Sequence, residues 1–454
     1  MQLRSGHRLD LPPPGRPHRL VASGGNGVGD QEDRISSLPD DLLIDILVRL
    51  GSAREAARTS ALGCRWRGLW TRLPELTFGN DVPLLSLEGL LAQVTRPGLN
   101  LLSIDACSDD KVCPEYFNSI LRAAVRLAPK HLIVSLEAIN VTVDMPCLDR
   151  TTTLDLHLPQ ISLTSPPAGE FTALQSLSLD TWTMELGSLL PMCPSLRSLS
   201  LVCWHSEEVI VHSTTLEKLD VVSNSIEDEI HNIDIITPQL KEASFGIQRA
   251  DYVSLSFSAP TVERISWLCT YQHEVGLRNM HLECLSYYLT NGAHKIYLDI
   301  CHEERWRDVE WSIGEAIQQL PFSKFSYLGL YLKTKEHAFG PLVLHLLQIR
   351  PVQTLYVKLR RQRKVSCPLD CPCDQHTNWR NESIALTELE AVTIQGLKGK
   401  DDEADFLKVI FRCATVLKSM KVYVAAGGYD KVYGICEQHP HVKSDISVWK
   451  PRHI

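Results

Sequence analysis

A six-residue pattern, Leu-x-x-Leu-x-Leu, recurs along the middle of this chain of 454 residues. Three clear copies and three degenerate ones begin at Leu174, Leu196, Leu216, Leu240, Val262 and Leu282. Their first positions are 22, 20, 24, 22 and 20 residues apart. This spacing is typical of a leucine-rich-repeat solenoid, in which each coil contributes one short strand and buries the apolar side chains. A sheet of ordinary α/β type with recurring strands is the alternative, but six copies in series favour the solenoid.

Apolar pairs with the same alternation extend the array in both directions. They begin at Val134 and Leu154 before the clear series, and at Leu298, Leu328, Leu355, Val392 and Met420 after it, and a full copy of the pattern begins earlier still, at Leu99. The sequence therefore predicts an α/β fold with about twelve to fourteen irregular coils that share one core and curve into a horseshoe.

A different pattern precedes the repeats. Leu42, Leu43, Ile46 and Leu47 lie three or four residues apart, which predicts one apolar stripe on a helix that ends at Gly51. Ser52 and Glu55 form a capping box for a second helix, with Gly63 as its left-handed end. A third short helix is predicted over residues 64–73. Three helices of this size bury little core, so they need a partner.

The pair Leu38-Pro39, the apolar stripe and the run from Arg65 to Trp70 (Arg-Trp-Arg-Gly-Leu-Trp) resemble an F-box of the kind found in plant F-box and leucine-rich-repeat proteins. The resemblance implies a small helical domain that docks on a Skp-family adaptor, and through it on the cullin scaffold of an SCF ubiquitin ligase. The residues implied in adaptor binding are Leu38, Pro39, Leu42, Leu43, Ile46, Leu47 and Trp66. A generic helical hairpin with a tryptophan anchor is the alternative.

The C-terminal third carries a second resemblance. The cysteines at 367, 371 and 373, then Trp379, the apolar residues from Leu386 to Ile394, and Asp405-Phe406-Leu407-Lys408 resemble the FBD region of many plant F-box proteins. The predicted domains are a disordered leader (1–32), the F-box (33–78), leucine-rich repeats (79–366), an FBD-like region with the last repeats (367–424) and a C-terminal tail (425–454).

Composition excludes several classes of function. The net charge is only −8 and the chain lacks an extended basic face, so nucleic acid is a weak candidate for the partner. No run of eighteen apolar residues exists and the N-terminus has no signal-peptide core, so we expect no membrane span and a location in the cytoplasm or nucleus. The sequence lacks the common catalytic motifs, which predicts a non-catalytic protein without a cofactor.

Two clusters leave alternatives open. Cys367, Cys371, Cys373 and His376 could hold zinc, but their spacing differs from paired Cys-x-x-Cys knuckles, and we predict a loop with reduced thiols and no metal. The basic run from Lys358 to Lys364 is either a solvated loop or an import signal.

Target recognition is predicted on the strand positions that alternate with the buried leucines. One repeat slot holds Ser178, Ser200, Asp220, Ser244, Ser266 and Ser286. The basic residues around it are Arg197, Lys218, Lys241 and Arg264. Solvated positions without a ligand are the alternative for each residue. The predicted function is the substrate-recognition subunit of an SCF-type ligase, and the alternative is a repeat protein that binds a small molecule or structural partner without degradation.

Overall fold

The structure is a computed structural model. It describes residues 35, 37–106, 114–137, 141–164, 169–224, 230–248, 253–271, 275–277, 280–302, 311–312, 317, 325–334, 337–360, 379–381 and 383–449. The predicted leader at 1–32 and the cysteine and histidine cluster at 367–376 lie outside these residues.

The helices lie mainly at the two ends of the chain. They are α1 (Asp40–Val48), α2 (Ala53–Arg58), α3 (Leu84–Gln93), α4 (Pro114–Leu127), α5 (Leu186–Leu189), α6 (Gly340–Ile349), α7 (Asp401–Cys413) and α8 (Tyr429–Glu437). Short 3-10 turns cover Thr59–Ala61, Cys64–Trp66, Leu69–Arg72, Leu190–Met192, Trp379–Asn381 and Ala426–Gly428.

The strands recur along almost the whole described chain. They are β1 (Glu75–Phe78), β2 (Leu101–Ala106), β3 (His131–Leu136), β4 (Val141–Asp144), β5 (Thr153–Leu158), β6 (Ile161–Thr164), β7 (Ser176–Thr181), β8 (Ser198–Cys203), β9 (Glu208–His212), β10 (Lys218–Ser223), β11 (Asn232–Ile236), β12 (Glu242–Ile247), β13 (Ser254–Ser258), β14 (Arg264–Thr270), β15 (Val275–Leu277), β16 (Met280–Thr290), β17 (Ala293–His302), β18 (Trp311–Ser312), β19 (Tyr327–Lys333), β20 (Thr354–Leu359), β21 (Ala391–Leu397), β22 (Ser419–Val424) and β23 (Lys443–Val448).

One large sheet of 18 described strands organises the molecule. From β1 to β14 each of its strands pairs in parallel with the strand of the next coil, and from β17 to β23 parallel pairing continues. The predicted repeat leucines point into the interior, since Leu177, Leu199 and Leu219 are at most 1% exposed. The prediction of an α/β protein with a large repeated sheet is confirmed.

The opposite side of the coils changes along the chain. Helices α3 and α4 back the first coils, whereas β9, β11 and β13 form a separate parallel sheet of three strands behind the middle coils. Short extended segments therefore replace helices there, as the irregular repeats predicted.

The sixth repeat departs from the prediction. Strand β16 runs antiparallel to both β14 and β17, so the coil pattern is interrupted by a hairpin. Its turn contains Asn291 and Gly292, both with positive φ (51° and 72°). Asn-Gly is the preferred sequence for a two-residue hairpin turn, because glycine and asparagine tolerate this backbone region. The leucines of the sixth copy are buried as expected, but the strand direction is reversed.

The N-terminal segment also differs in detail. Two 3-10 turns replace the predicted third helix, because Gly68 between them adopts φ 79° and interrupts helical hydrogen bonding. Gly63 was predicted as a left-handed helix end, but its φ of 170° is extended backbone. Gly51, with φ 68°, ends the first helix as predicted. The predicted cap of α2 is present, since the Ser52 side chain accepts a hydrogen bond from the Glu55 amide at 3.4 Å.

Strand pairing crosses the predicted domain boundaries at both ends of the sheet. Strand β1 lies inside the segment predicted as F-box and pairs with β2. At the other end, the predicted tail contains α8 and β23, and β23 pairs in parallel with β22. The C-terminal segment is therefore a further coil, which sequence reasoning missed because β23 is polar and largely exposed.

Candidate binding surfaces

Helix α1 presents two different apolar rows. Leu43 and Leu47 are buried (0% and 1% exposed), whereas Leu42 and Ile46 on the neighbouring face are 48% and 39% exposed. Because residues four apart lie on the same side of a helix, Leu42 and Ile46 form one continuous exposed row. The exposed row is available to a partner, and the buried row holds the helix in place.

The other residues predicted to bind the adaptor divide in the same way. Trp66 is buried at 4% exposure, Leu38 is half-buried, and Pro39 is exposed. Leu43, Leu47 and Trp66 are buried in the core and present little surface for a direct contact with a partner. Adaptor binding by the set as a whole stays a prediction.

An ion network fixes the start of α1. The Asp40 carboxylate accepts hydrogen bonds from Arg65 at 3.0 Å and from Arg72 at 2.9 Å. The hydrogen bond from Arg72, followed by that from Arg65, lowers the pKa of Asp40. Arg65 and Arg72, one from each 3-10 turn, therefore join the turn segments to the helix that carries the exposed row.

The helical segment is also tied to the sheet. Arg54 of α2 forms an ion pair with Asp81, just after the first strand. Leu73, Leu76 and Phe78 are buried and belong to the same apolar core as the repeat leucines. The exposed row on α1 thus sits on a module that packs against the end of the repeat array.

The predicted target-binding slot forms a continuous row on the exposed face of the sheet. Strand register places Ser178 beside Ser200, Ser200 beside Asp220, Asp220 beside Ser244, and Ser244 beside Ser266. All five side chains are half-buried. Ser286 does not continue this row, because the reversed strand places Tyr288 beside Ser266. A target contact at these positions stays a prediction.

Three of the four predicted basic residues are held in ion pairs. Glu217 accepts from Arg197 at 3.0 Å and from Lys241 at 2.6 Å, and Arg264 pairs with Glu242. Lys241 is the largest cause of the lowered pKa of Glu217. These ion pairs join side chains of neighbouring coils. Fewer basic side chains are therefore left to bind a target than the sequence predicted.

Sequence reasoning missed a group of aromatic side chains farther along the same face. We call this group the tyrosine patch; its members are Tyr288, Tyr297, Tyr327, Tyr331 and Tyr356. Tyr297 lies with its ring centroid 5.3 Å from that of Tyr327 and 6.1 Å from that of Tyr331. Tyr288 and Tyr356 extend the patch, at 5.9 Å from Tyr297 and Tyr331 respectively.

The alternation of buried and exposed residues along the strands contained a signal for the tyrosine patch. Tyr331 stands between Leu330 and Leu332, and Tyr356 stands between Leu355 and Val357. An aromatic residue between two buried neighbours of a strand must lie on the opposite, exposed face.

One group of described side chains has the composition of a metal site. Ligand atoms of His281, Glu283 and Cys301 lie within 4.8 Å of one another. Lys333 forms an ion pair with Glu283, so a cation already neutralises the carboxylate of this group. The arrangement is therefore accounted for without a metal.

The fold and surfaces define an α/β repeat protein, with a helical segment at one end of a large and mostly parallel sheet. The chain is similar to a putative F-box/LRR-repeat protein of Arabidopsis thaliana, with 24% identity over 437 residues, 87% of this chain and 92% of that protein. The MEIOTIC F-BOX protein MOF of Oryza sativa subsp. japonica is 31% identical over 203 residues, 42% of this chain and 41% of that protein. An FBD-associated F-box protein of Arabidopsis thaliana is 27% identical over 252 residues, 47% of this chain and 51% of that protein.

No protein-family model matches the chain. The relatives confirm the predicted resemblance to plant F-box and leucine-rich-repeat proteins with an FBD-like region. The described residues contain no helix long and apolar enough to cross a membrane.

Proposed function

We propose that the protein is the substrate-recognition subunit of an SCF-type ubiquitin ligase. The F-box segment would dock on a Skp-family adaptor and through it on a cullin scaffold, while the exposed face of the sheet binds a target protein. The subunit itself is not an enzyme and forms no bond to ubiquitin. It acts by holding the target close to the charged conjugating enzyme, which raises the effective concentration of the two reactants.

The exposed row on α1 is the observation that carries this proposal. Single exposed aliphatic side chains are common, but a contiguous exposed row on a helix whose other face is buried is typical of an interaction surface. Each of the two side chains contributes at most about 1.5 to 3 kcal/mol on full burial, and less here because each is already half-covered. Association costs several kcal/mol in lost freedom, so further contacts, such as the exposed Pro39, Val48 and Leu50, have to contribute.

The repeat sheet supplies the second half of the proposal. Its strands follow one another from coil to coil, as in a solenoid that curves into a horseshoe, and its exposed face offers a long continuous surface. We place the target on this face and expect the protein in the cytoplasm or nucleus, where the ligase components reside.

A purified Skp-family adaptor tests the docking end. The double substitution Leu42→Asp with Ile46→Asp should reduce adaptor capture by the full chain at least tenfold while lowering the melting temperature only slightly, because both side chains are about half exposed. Leu85→Asp is the matched control, since Leu85 is 65% exposed on α3. Equal capture by the double variant and the control would refute the proposed docking surface.

A cavity favours the second candidate, a repeat protein that binds a small molecule. It has a volume of about 320 Å³ and is lined by residues of β7, β8, β9 and α5, including Glu185 and Glu208. Filling it through Gly187→Trp should abolish any thermal stabilisation that a metabolite library produces in the parent protein. If no compound stabilises the parent protein, this candidate fails.

A further inference from the structure

The tyrosine patch continues the predicted target-binding row. Ser266 neighbours Tyr288, which neighbours Lys295 on β17, which in turn neighbours Tyr327 on β19. The small polar side chains of the earlier coils thus give way to large aromatic ones on the same face. The change begins at the reversed strand β16.

A glycine makes room for the centre of the patch. Gly329 lies beside Tyr297 and Tyr356 in the strand register. A Cβ atom at Gly329 would lie 2.7 Å from Cε1 of Tyr297, closer than side chains pack. The Tyr297 ring therefore occupies the space that a side chain at position 329 would fill, and from there it contacts both Tyr327 and Tyr331.

Three cations lie over the rings. The Lys295 ammonium is 5.7 Å from the centroid of Tyr327, and Lys358 and Arg360 are 6.0 and 5.5 Å from that of Tyr331. Within the described residues, none of the three forms an ion pair. This differs from Arg197, Lys241 and Arg264 on the earlier coils, which are all paired.

One acidic group, Asp299, lies beside Tyr331 in the strand register. Burial raises the pKa of Asp299, and Arg360 and Lys333 oppose this shift. Burial also raises the pKa of Tyr331 and Tyr356, so their hydroxyls stay protonated. The three cations over the rings outnumber the Asp299 carboxylate, so the patch carries a local excess of positive charge in a chain whose net charge is −8.

We propose that the tyrosine patch, with Lys295, Lys358 and Arg360, binds a short, extended acidic segment of the target protein. Tyrosine and arginine are enriched where protein partners make their strongest contacts. The patch crosses four neighbouring strands, a distance of about 14 Å, which matches roughly four residues of extended chain. Target carboxylates pair with the three cations, and the intervening side chains pack on the rings.

This inference rests on the proposed role in target recognition, but its test does not require the adaptor. Random dodecapeptides displayed on phage are selected against the purified full chain. Enriched peptides should contain an excess of Asp and Glu next to aromatic residues or proline. The triple variant Lys295→Glu, Lys358→Glu, Arg360→Glu should lower their binding at least tenfold.

The matched control reverses three exposed cations elsewhere, through Arg96→Glu, Arg122→Glu and Lys130→Glu. It changes the net charge equally and should retain peptide binding. Gly329→Leu should also lose binding, because its side chain displaces the Tyr297 ring, while the three cations remain. A pool without acidic excess, no enrichment, or unchanged binding by the triple variant would overturn the inference.

A second copy of the chain is the other possible occupant. Light scattering of the parent protein and the triple variant should give a monomer in both cases, and a dimer that only the parent protein forms would overturn the inference. Peptide enrichment together with absent adaptor capture would instead refute the proposed function and leave the peptide site standing.

Discussion

At the scale of single residues, a buried carboxylate organises the start of α7. Glu403 is fully buried, and its Oε2 accepts hydrogen bonds from the amides of Lys398, Gly399 and Lys400 at 2.8, 2.6 and 3.0 Å. These amides precede α7, where a helix leaves N–H groups without partners and favours negative charge. One side chain therefore satisfies the whole turn that leads into the helix.

Glu403→Ala should destabilise the protein by roughly 1 to 3 kcal/mol, because it removes a buried side chain and leaves three partly buried amides without their acceptor. Glu403→Gln should cost less, since its carbonyl oxygen still accepts. Glu388→Ala, at an exposed site nearby, should be neutral. Denaturant unfolding measures the three differences, and an equal effect of the alanine and glutamine variants would contradict the capping role.

The packing of α7 against α8 also depends on single residues, here a pair of glycines. Gly399 has φ 87°, and a Cβ atom on Gly428 would lie 2.6 Å from the Gly399 Cα. The loop before α7 and the turn before α8 touch through their backbones. This contact could not be predicted from spacing alone, because it joins positions that only the folded coil brings together.

At the scale of elements, the strands of the repeats were predictable, but the reversed direction of β16 was not. Alternation of leucines fixes which residues face the core, and every strand inferred from the repeats is present. A strand has the same alternation of buried and exposed residues whichever way it runs. Leu285 and Tyr287 are therefore buried even though β16 is reversed. The sequence signal for the reversed strand was the Asn291-Gly292 turn. It was missed because the leucine spacing fitted a regular repeat.

Gly292→Ala should destabilise the β16–β17 hairpin by about 1 kcal/mol, because alanine disfavours the left-handed backbone at φ 72°. No atom lies within 4 Å of the added Cβ, so the effect would be backbone strain alone. Gly187→Ala also adds a Cβ in open space but at an ordinary φ, and should not destabilise. Thermal unfolding of both variants checks the difference; equal melting temperatures would contradict the proposed turn strain.

The exposed row on α1 was partly predictable from the sequence, whereas the tyrosine patch was not, because its residues are brought together only by strand pairing. Helical spacing placed Leu42, Leu43, Ile46 and Leu47 on one apolar stripe. In the structure the core covers only Leu43 and Leu47. Packing of the 3-10 turn at Leu69–Arg72 against α1 decides which of the four are covered. The tyrosine patch depends on strand neighbours such as Tyr297 and Gly329, which are more than thirty positions apart in sequence.

At the scale of the whole molecule, the two surfaces lie at separate places on one continuous core. The exposed row on α1 belongs to the N-terminal module, and the tyrosine patch lies on strands β16 to β20. The array between them contains the strands from β1 to β14, each paired with its neighbour. Separate surfaces allow an adaptor and a target to bind at the same time, which a recognition subunit requires.

Hydrogen exchange with and without a Skp-family adaptor tests this arrangement most directly. We expect adaptor binding to slow amide exchange in α1 and the adjoining turns, and to leave exchange unchanged in β16 to β20. The Leu42→Asp, Ile46→Asp variant should lose this protection. No protection in α1 at saturating adaptor, or protection centred on the tyrosine patch, would contradict the account.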